Sequence, residues 1–487
     1  MTARLDIYPM SEPGLSKAYT QQKIFYQMMS SSHDLIKNFD DLVGSRLGEM
    51  ADLRSDVLRA AEHGIKNVMP ECFMKRIRVE GNSLIIKDSL RIDLREFDEV
   101  VVLGVGKASV RMAEMLEPIL YDRISGGVIA SLSSPCECIN LRKINVVPSS
   151  HPIPSKRSVE ASEILLEWAE SFTERTLVIF LLSGGASAML ALPAPPVTLE
   201  DKIFTTKLLL ESGATIDEIN TVRKHLSLVK GGWLGKRMSR ARVISLILSD
   251  VVGNKVESIG SGPTAPDPTT FRDAYNILRR YDLWDRVPES IRRRIMDGLE
   301  GRVEETPKPG DPAFQRITNI VIADVGDACR AAASYLKSRG FRCVVLSKYV
   351  EGEASQVGIF LAGLLQQFEE EGGRRAAILG GEYTVTVRGG GIGGRNQELV
   401  LGSLLKLKDL RRSVIMSVGT DGVDGVSSAA GAIADPQTYH DAIRLGINPI
   451  RFLKENDSNS FFNLVGGAIY TGPTGTNVGD LTILASA

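Results

Sequence analysis

Apolar positions along this chain form short continuous blocks rather than alternating stripes. Between residues 99 and 250 five such blocks recur: EVVVLGVG (Glu99–Gly106), GGVIASL (Gly126–Leu132), INVVPS (Ile144–Ser149), LVIFLLSGG (Leu177–Gly185) and VISLILSD (Val243–Asp250). Blocks of this kind suit strands buried on both faces. Stretches with helical spacing separate them, which predicts a mostly parallel sheet covered by helices on both sides. Upstream, Leu35, Ile36, Phe39, Leu42 and Val43 recur at helical spacing, and Leu53, Val57, Leu58 and Ala61 continue it. RIRVEG and SLIIKD then read as a hairpin.

A second series begins near residue 318 with NIVIADVG, RCVVLS, RAAILGGE, YTVTVRGGG, SVIMSVGTDG and AIYTGPTGTNVGDLTIL. Pro288–Phe314 carries three consecutive arginines, Pro307, Pro309 and Gly310 with little periodicity, so the domain boundary is placed there. The expected organisation is an N-terminal extension (1–31), a Rossmann-like α/β domain (32–287) and a smaller C-terminal α/β domain (288–487). A cleft between the two domains would receive loops from both. The first thirty residues mix Pro, Ser, Gln and Tyr, and read either as an arm on a partner subunit, as in a homo-oligomer, or as partly disordered chain.

Composition narrows the class. With 487 residues, 43% of them hydrophobic, the chain can bury two cores. Lys and Arg number 58 against 59 Asp and Glu, which argues against a nucleic-acid or anionic-membrane partner held by bulk charge. Five scattered cysteines suit a reducing compartment, and the Cys136/Cys138 spacing is poor for a zinc knuckle. The start lacks the apolar core of a secretory signal, and no run of about 18 apolar residues appears. A cytoplasmic protein without a membrane span is expected.

The chemistry is carried by the loops after the strands, because open α/β sheets bind ligands at their carboxyl ends. Gly104-Val105-Gly106-Lys107 opens a helix, so backbone N–H groups and a lysine could meet an anion, although a tight turn with a solvated lysine explains it equally. Ser183, Gly184, Gly185 and Ser187 form another run of small residues suited to an anion. In the stretch from Asn220 to Gly232, Asn220 and Lys224 share one helical face and Arg223 and Ser227 another; with Lys230 they read as ligand contacts or as a solvated face. Asp250 ends a strand, where it could hold Mg²⁺ or cap a helix, and Ser261, Gly262 and Thr264 come after it. Glu382 precedes the Gly389–Gly394 loop, after which Arg395, Asn396 and Gln397 open a helix in a way that suits phosphate or carboxylate. Asp421 and Asp424 sit three apart in a glycine loop that could hold a hydrated divalent ion, and Thr474 and Asn477 lie in a last donor-rich loop. Cations, aspartates and small-residue loops together are the parts phosphoryl transfer needs. The Walker pattern and the protein-kinase motifs are absent.

Taken in order, GVGKAS, HPIPS (His151–Ser155), LLSGGASAML, INTVRKHLSLVKGG, SDVVGN with IGSGPTAPDPTTF, GGEYTVTVRGGGIGGRNQEL, GTDGVDG and TGPTGTNVGD resemble the glycerate 2-kinase family, whose C-terminal part is called the MOFRL domain. The motifs span residues 100 to 482, with the MOFRL-type region at about 374–482. The resemblance implies ATP-dependent phosphorylation of D-glycerate, usually to 2-phosphoglycerate, with Mg²⁺ or another divalent cation. It implies an active site between the domains, with Lys107 and Arg395 as the principal catalytic cations. Ser155 and Gly479 depart from the family pattern, which often has an acidic residue and Asn there. Two other readings stay open: a hydroxypyruvate reductase, a label this family has sometimes carried, and a non-catalytic sugar-acid binding protein. The reductase would need a nicotinamide site, for which the Gly389–Gly394 loop lacks an acidic ribose partner.

Overall fold

A computed structural model describes residues 35–132 and 140–487. The first thirty residues and the Cys136/Cys138 pair lie outside them. An early helix, α1 (Gly48–Asn67), precedes an antiparallel meander of β1 (Ile77–Glu80), β2 (Ser83–Ile86) and β3 (Leu90–Asp93). The hairpin read from the sequence is the first pair of this meander, turned at Gly81 with φ of +61°.

The apolar blocks become a six-stranded, all-parallel sheet. Its strands are β4 (Glu99–Val105), β5 (Ile124–Leu132), β6 (Ile144–Ser149), β7 (Thr176–Leu182), β8 (Arg242–Leu248) and β9 (Ile317–Ala323). The spatial order β6-β5-β4-β7-β8-β9 is that of a doubly wound fold. Central position explains the continuous apolar runs: every residue of β7 is buried. Helix α2 (Ser109–Leu120) follows β4, and α3 (Ile216–His225) lies between β7 and β8.

One strand is not where the sequence pattern puts it. Ile317–Ala323 reads as the opening of the second series, but it pairs in parallel with β8, from Val243↔Ile317 to Leu248↔Ala323. The irregular stretch from 288 to 314 therefore does not separate the sheets. It begins with a helix, Glu289–Leu299, and is the crossover that returns the chain to the first sheet.

The second sheet contains β10 (Arg342–Glu353), β11 (Arg375–Thr384), β12 (Ser413–Gly419), β13 (Gly431–Ala434), β14 (Ala468–Ile469) and β15 (Asp480–Ser486), in the order β10-β11-β15-β12-β13-β14. Only β10 and β11 are parallel. YTVTVRGGG is not a strand of its own; its first two residues end β11. Helices α4 (Val325–Ser338) and α5 (Arg395–Leu407) belong to this half. Strand β15 runs antiparallel to both neighbours and starts at Asp480, opposite Gly381 of β11 and Gly419 of β12. The loops after β11 and β12 and the loop before β15 therefore meet at one edge.

Helix α1 joins the halves. Its Asn67 donates to Asp327 O of α4 at 3.2 Å, and Arg54 pairs with Asp435 at 3.0 Å, both groups being buried. A Cβ at Gly64 would lie 2.9 Å from Ala328 O, so close approach of α1 to α4 requires glycine there. Among the described residues no helix is long and apolar enough to cross a membrane.

Candidate active site

The order of the first sheet reverses between β4 and β7, and the crevice at such a switch point is where open α/β sheets bind ligands. The loops leaving these strands lock together there. Lys107 N–H donates to Gly184 O at 2.9 Å, and Ala108 N–H to Ser183 Oγ at 3.0 Å. Gly106 has a φ of +128°, and a Cβ on it would lie 2.3 Å from Ser183 Oγ. The glycine is thus required by Ser183. Lys107 itself is exposed, and its Nζ has no ion-pair or hydrogen-bond partner among the described residues.

The second sheet supplies the facing wall. Asn477, in the loop before β15, donates to Asp250 Oδ2 at 3.2 Å, so the ends of β8 and β15 touch. Arg395 begins α5 and is held by Asp480, whose Oδ2 accepts its Nε–H at 2.6 Å. Glu382 lies 3.5 Å from the same guanidinium. Burial opposes the Arg395 charge, but Asp480 and Glu382 outweigh it, and its pKa is raised.

Two lobes open on either side of Gly184. One, of about 650 Å³, is lined by Lys107, Ser183, Asp421, Thr474 and Asn477 among others. The other, of about 400 Å³, is lined by His151, Ser187, Asn220, Arg223, Asp250 and Glu382 among others. At the smaller lobe Ser261 Oγ donates to Asn220 Oδ1 at 3.1 Å and lies 2.9 Å from Ser187 Oγ. Ser261 takes a φ of +63°, uncommon for a side chain, to make this chain of contacts.

The carboxylates here are perturbed together. Burial raises Asp250 and Asp421; each also feels Lys107 and Arg395, which offset part of the shift, and Asp421 raises Asp250 further. Glu382 is pushed up to about 7, first by burial and then by Asp480, Asp250 and Glu351 against the pull of Arg395. His151 is lowered to about 4 by burial and then by Lys107, which keeps it neutral near pH 7.

Several residues read from the sequence as ligand contacts serve the fold instead. Asp424 is 1% exposed, and both its oxygens are used at the start of α5: Oδ1 accepts from Asn396 N and Nδ2, Oδ2 from Gln397 N and Nε2, at 2.8–3.2 Å. It anchors a helix and has no oxygen directed at a metal. Asn396 and Gln397 are buried, bonded also to Asp480, Ser417, Ser427 and Asn459. Lys224 is closed in a buried pair with Asp267 at 3.2 Å. Thr264 bonds Asn319 in the interior, and Thr474 bonds Thr420 O. Gly262 lies against the Glu257 backbone, and Gly394 against Asp424. The glycines at 389, 391 and 393 likewise make room for residues 455–458, so packing alone accounts for glycine at those positions. Conversely, His151, Asp480 and Glu351 belong to the site without a sequence signal of their own chemistry. The HPIPS motif marked the first and TGPTGTNVGD ends on the second; nothing local marked Glu351.

Two family models match the chain. A domain family described as of unknown function (DUF4147) matches residues 56–296, and the MOFRL family matches residues 375–480. A glycerate 2-kinase of Pyrococcus horikoshii is 40% identical, over 89% of this chain and 97% of its own length. The chain belongs to the glycerate kinase family. A crystal structure of glycerate kinase from Thermotoga maritima superposes with a TM-score of 0.77 at 35% identity, covering 88% of this chain and 98% of that one. Another relative, from Agrobacterium vitis, is 37% identical over 78% of this chain and 86% of its own length, and carries hydroxypyruvate reductase as a provisional name. The α/β fold and an enzyme of the kinase class follow from these relationships.

Proposed function

We propose that this family member transfers the γ-phosphoryl group of ATP to the 2-hydroxyl of D-glycerate, giving 2-phosphoglycerate. One observation carries the reading: loops from two sheets meet at Asp250 and Asn477 and leave two lobes joined at Gly184, the larger of nucleotide size and the smaller of a size for a short hydroxy acid. Lys107, after the first sheet's β4, lines the larger lobe, and Arg395, at the start of α5, acts electrostatically on both Asp250 and Asp421.

A divalent cation fits the donor set. Asp250 and Asp421 are shielded carboxylates whose pKa values burial raises, Asp250 further through Asp421 and Asp421 through Asp480, and a cation such as Mg²⁺ relieves that repulsion. Among the described residues no three His, Cys, Asp or Glu side chains gather, so the protein would supply two ligands and water and phosphate the rest. When bound, the ion would neutralise phosphate charge. The chain's own groups do the remainder. The acceptor oxygen forms a bond to the γ-phosphorus as the bond to the leaving ADP oxygen breaks. Lys107 and Arg395, the second held in place by Asp480, supply positive charge for the transferring group. Glu382, near 7 and in the acceptor lobe, is poised to take the hydroxyl proton.

The test is ATP consumption by the purified protein with and without D-glycerate and Mg²⁺, with phosphorus NMR of the product. Consumption that requires both, with the 2-phosphoglycerate signal, supports the reading. ATP loss without glycerate, or none with it, refutes it. Asp421→Asn should weaken apparent Mg²⁺ or nucleotide affinity more than glycerate affinity.

A further inference from the structure

The smaller lobe has one wall of a kind not found elsewhere in the site. Arg223 lines it, and Lys230 stands behind; Arg223 Nη2 and Lys230 Nζ donate to the same acceptor, Ser187 O, at 3.2 and 2.8 Å. Lys202 completes the group, with its Nζ 3.5 Å from Leu226 O at the end of α3. Lys202 is 4% exposed and Lys230 is fully buried. No carboxylate lies within ion-pair distance of any of the three among the described residues, whereas Lys224, on the same helix, has Asp267. Burial dominates the environment of all three, and the only other charges acting on Lys202 and Lys230 are cations of the same group.

Buried like charges without a counter-charge are unfavourable. The carbonyls at the end of α3 and of Ser187 offset part of that cost. An anion entering the lobe at Arg223 would offset the rest. Asp250, Glu382 and Glu351 also line the lobe and repel an anion, while its Asp217 is paired with Lys255 at 2.8 Å. A small hydroxy acid therefore has one favourable orientation, with its carboxylate at Arg223 and its hydroxyl end toward Asp250 and Lys107.

We propose that Arg223, backed by Lys230 and Lys202, is the carboxylate-recognition site of the acceptor and makes the enzyme select hydroxy acids over neutral polyols. The assignment rests on the acceptor reading under Proposed function. Lys230 and Lys202 are positioning residues; Arg223 touches the substrate.

The test uses the full-length protein with ATP and Mg²⁺, and compares D-glycerate with glycerol, which has the same carbon skeleton without the carboxylate. Arg223→Gln should raise the KM for D-glycerate on the order of 10²-fold, leave the KM for ATP within about twofold, and narrow the preference for D-glycerate over glycerol by a similar factor. Arg223→Lys should be intermediate, and serves if the Gln variant does not fold. Lys230→Met should move the D-glycerate KM in the same direction, with calorimetric titration of D-glycerate alone weakened in parallel. A wild type that phosphorylates D-glycerate while both Arg223 variants keep its KM overturns this assignment alone. Equal losses with glycerate and glycerol also overturn it. A wild type that neither binds nor phosphorylates D-glycerate overturns the acceptor reading and this assignment with it.

Discussion

Asp424→Asn separates a structural role from a metal-binding one. Each oxygen of the native carboxylate accepts two hydrogen bonds, one from a backbone N–H at the start of α5 and one from a side-chain amide. An asparagine keeps one oxygen and turns the other into a donor facing two donors. Two hydrogen bonds are lost, and one buried backbone N–H loses its partner. Hydrogen bonds to charged groups contribute about 1.5–3 kcal/mol each. Burial already raises the Asp424 pKa, so its charge adds less than the full amount. A net loss of about 3 kcal/mol is expected. At about 2–4 °C per kcal/mol for domains of this size, the melting temperature should fall by roughly 6–12 °C. Thermal melting and a Mg²⁺ titration of turnover on the same sample are the assay. The apparent Mg²⁺ affinity should stay within about twofold of wild type. Unchanged melting with a tenfold weaker response to Mg²⁺ would show that Asp424 meets the metal and that the helix-anchor argument is wrong.

Three further outcomes are expected. Lys107→Ala should lower turnover about 10²-fold with little change in melting, because its Nζ has no partner among the described residues; near-wild-type turnover removes it from the mechanism. Arg395→Lys should lose turnover to a similar extent, on the order of 10²-fold, since lysine cannot keep the Asp480 contact and also reach the phosphoryl group; full activity would show that the fork is not needed. Lys202 is lowered to about 7 from 10.5, so between those values the unfolded chain binds more protons and the ligand-free protein gains stability as pH rises, with the full penalty present below about 7. Lys202→Met should reduce that slope, to which buried Lys230 adds with the same sign, and raise the melting temperature at pH 6, and a wild-type melting temperature that falls from pH 7 to 9 while that of Lys202→Met does not would contradict the sign.

The apolar rhythm by itself determined five of the six strands of the first sheet, because central strands buried on both faces are apolar nearly throughout, and it also placed Lys107, Ser183 and Asp250 at strand ends. The ordered motifs carried the family, since glycines such as Gly106 are held by the backbone they touch. Side-chain pairing was not legible. Lys224 and Arg223 are adjacent in a run of polar residues, yet one is closed by Asp267, which is 43 positions away, and the other lines the lobe with no acid within ion-pair distance among the described residues. Asp421 and Asp424 look equivalent in a glycine loop, but the turn aims the second at the N-terminus of α5. Ile317–Ala323 has the apolar content of a strand in either sheet, and only the crossover before it decided which one. Asp480 reads as the start of a last strand; that strand's antiparallel place between β11 and β12 is what delivers its carboxylate to Arg395. Hydrophobic burial is written locally along the chain, whereas charge compensation depends on which distant segment arrives beside each cation, and that is fixed only when the sheets assemble.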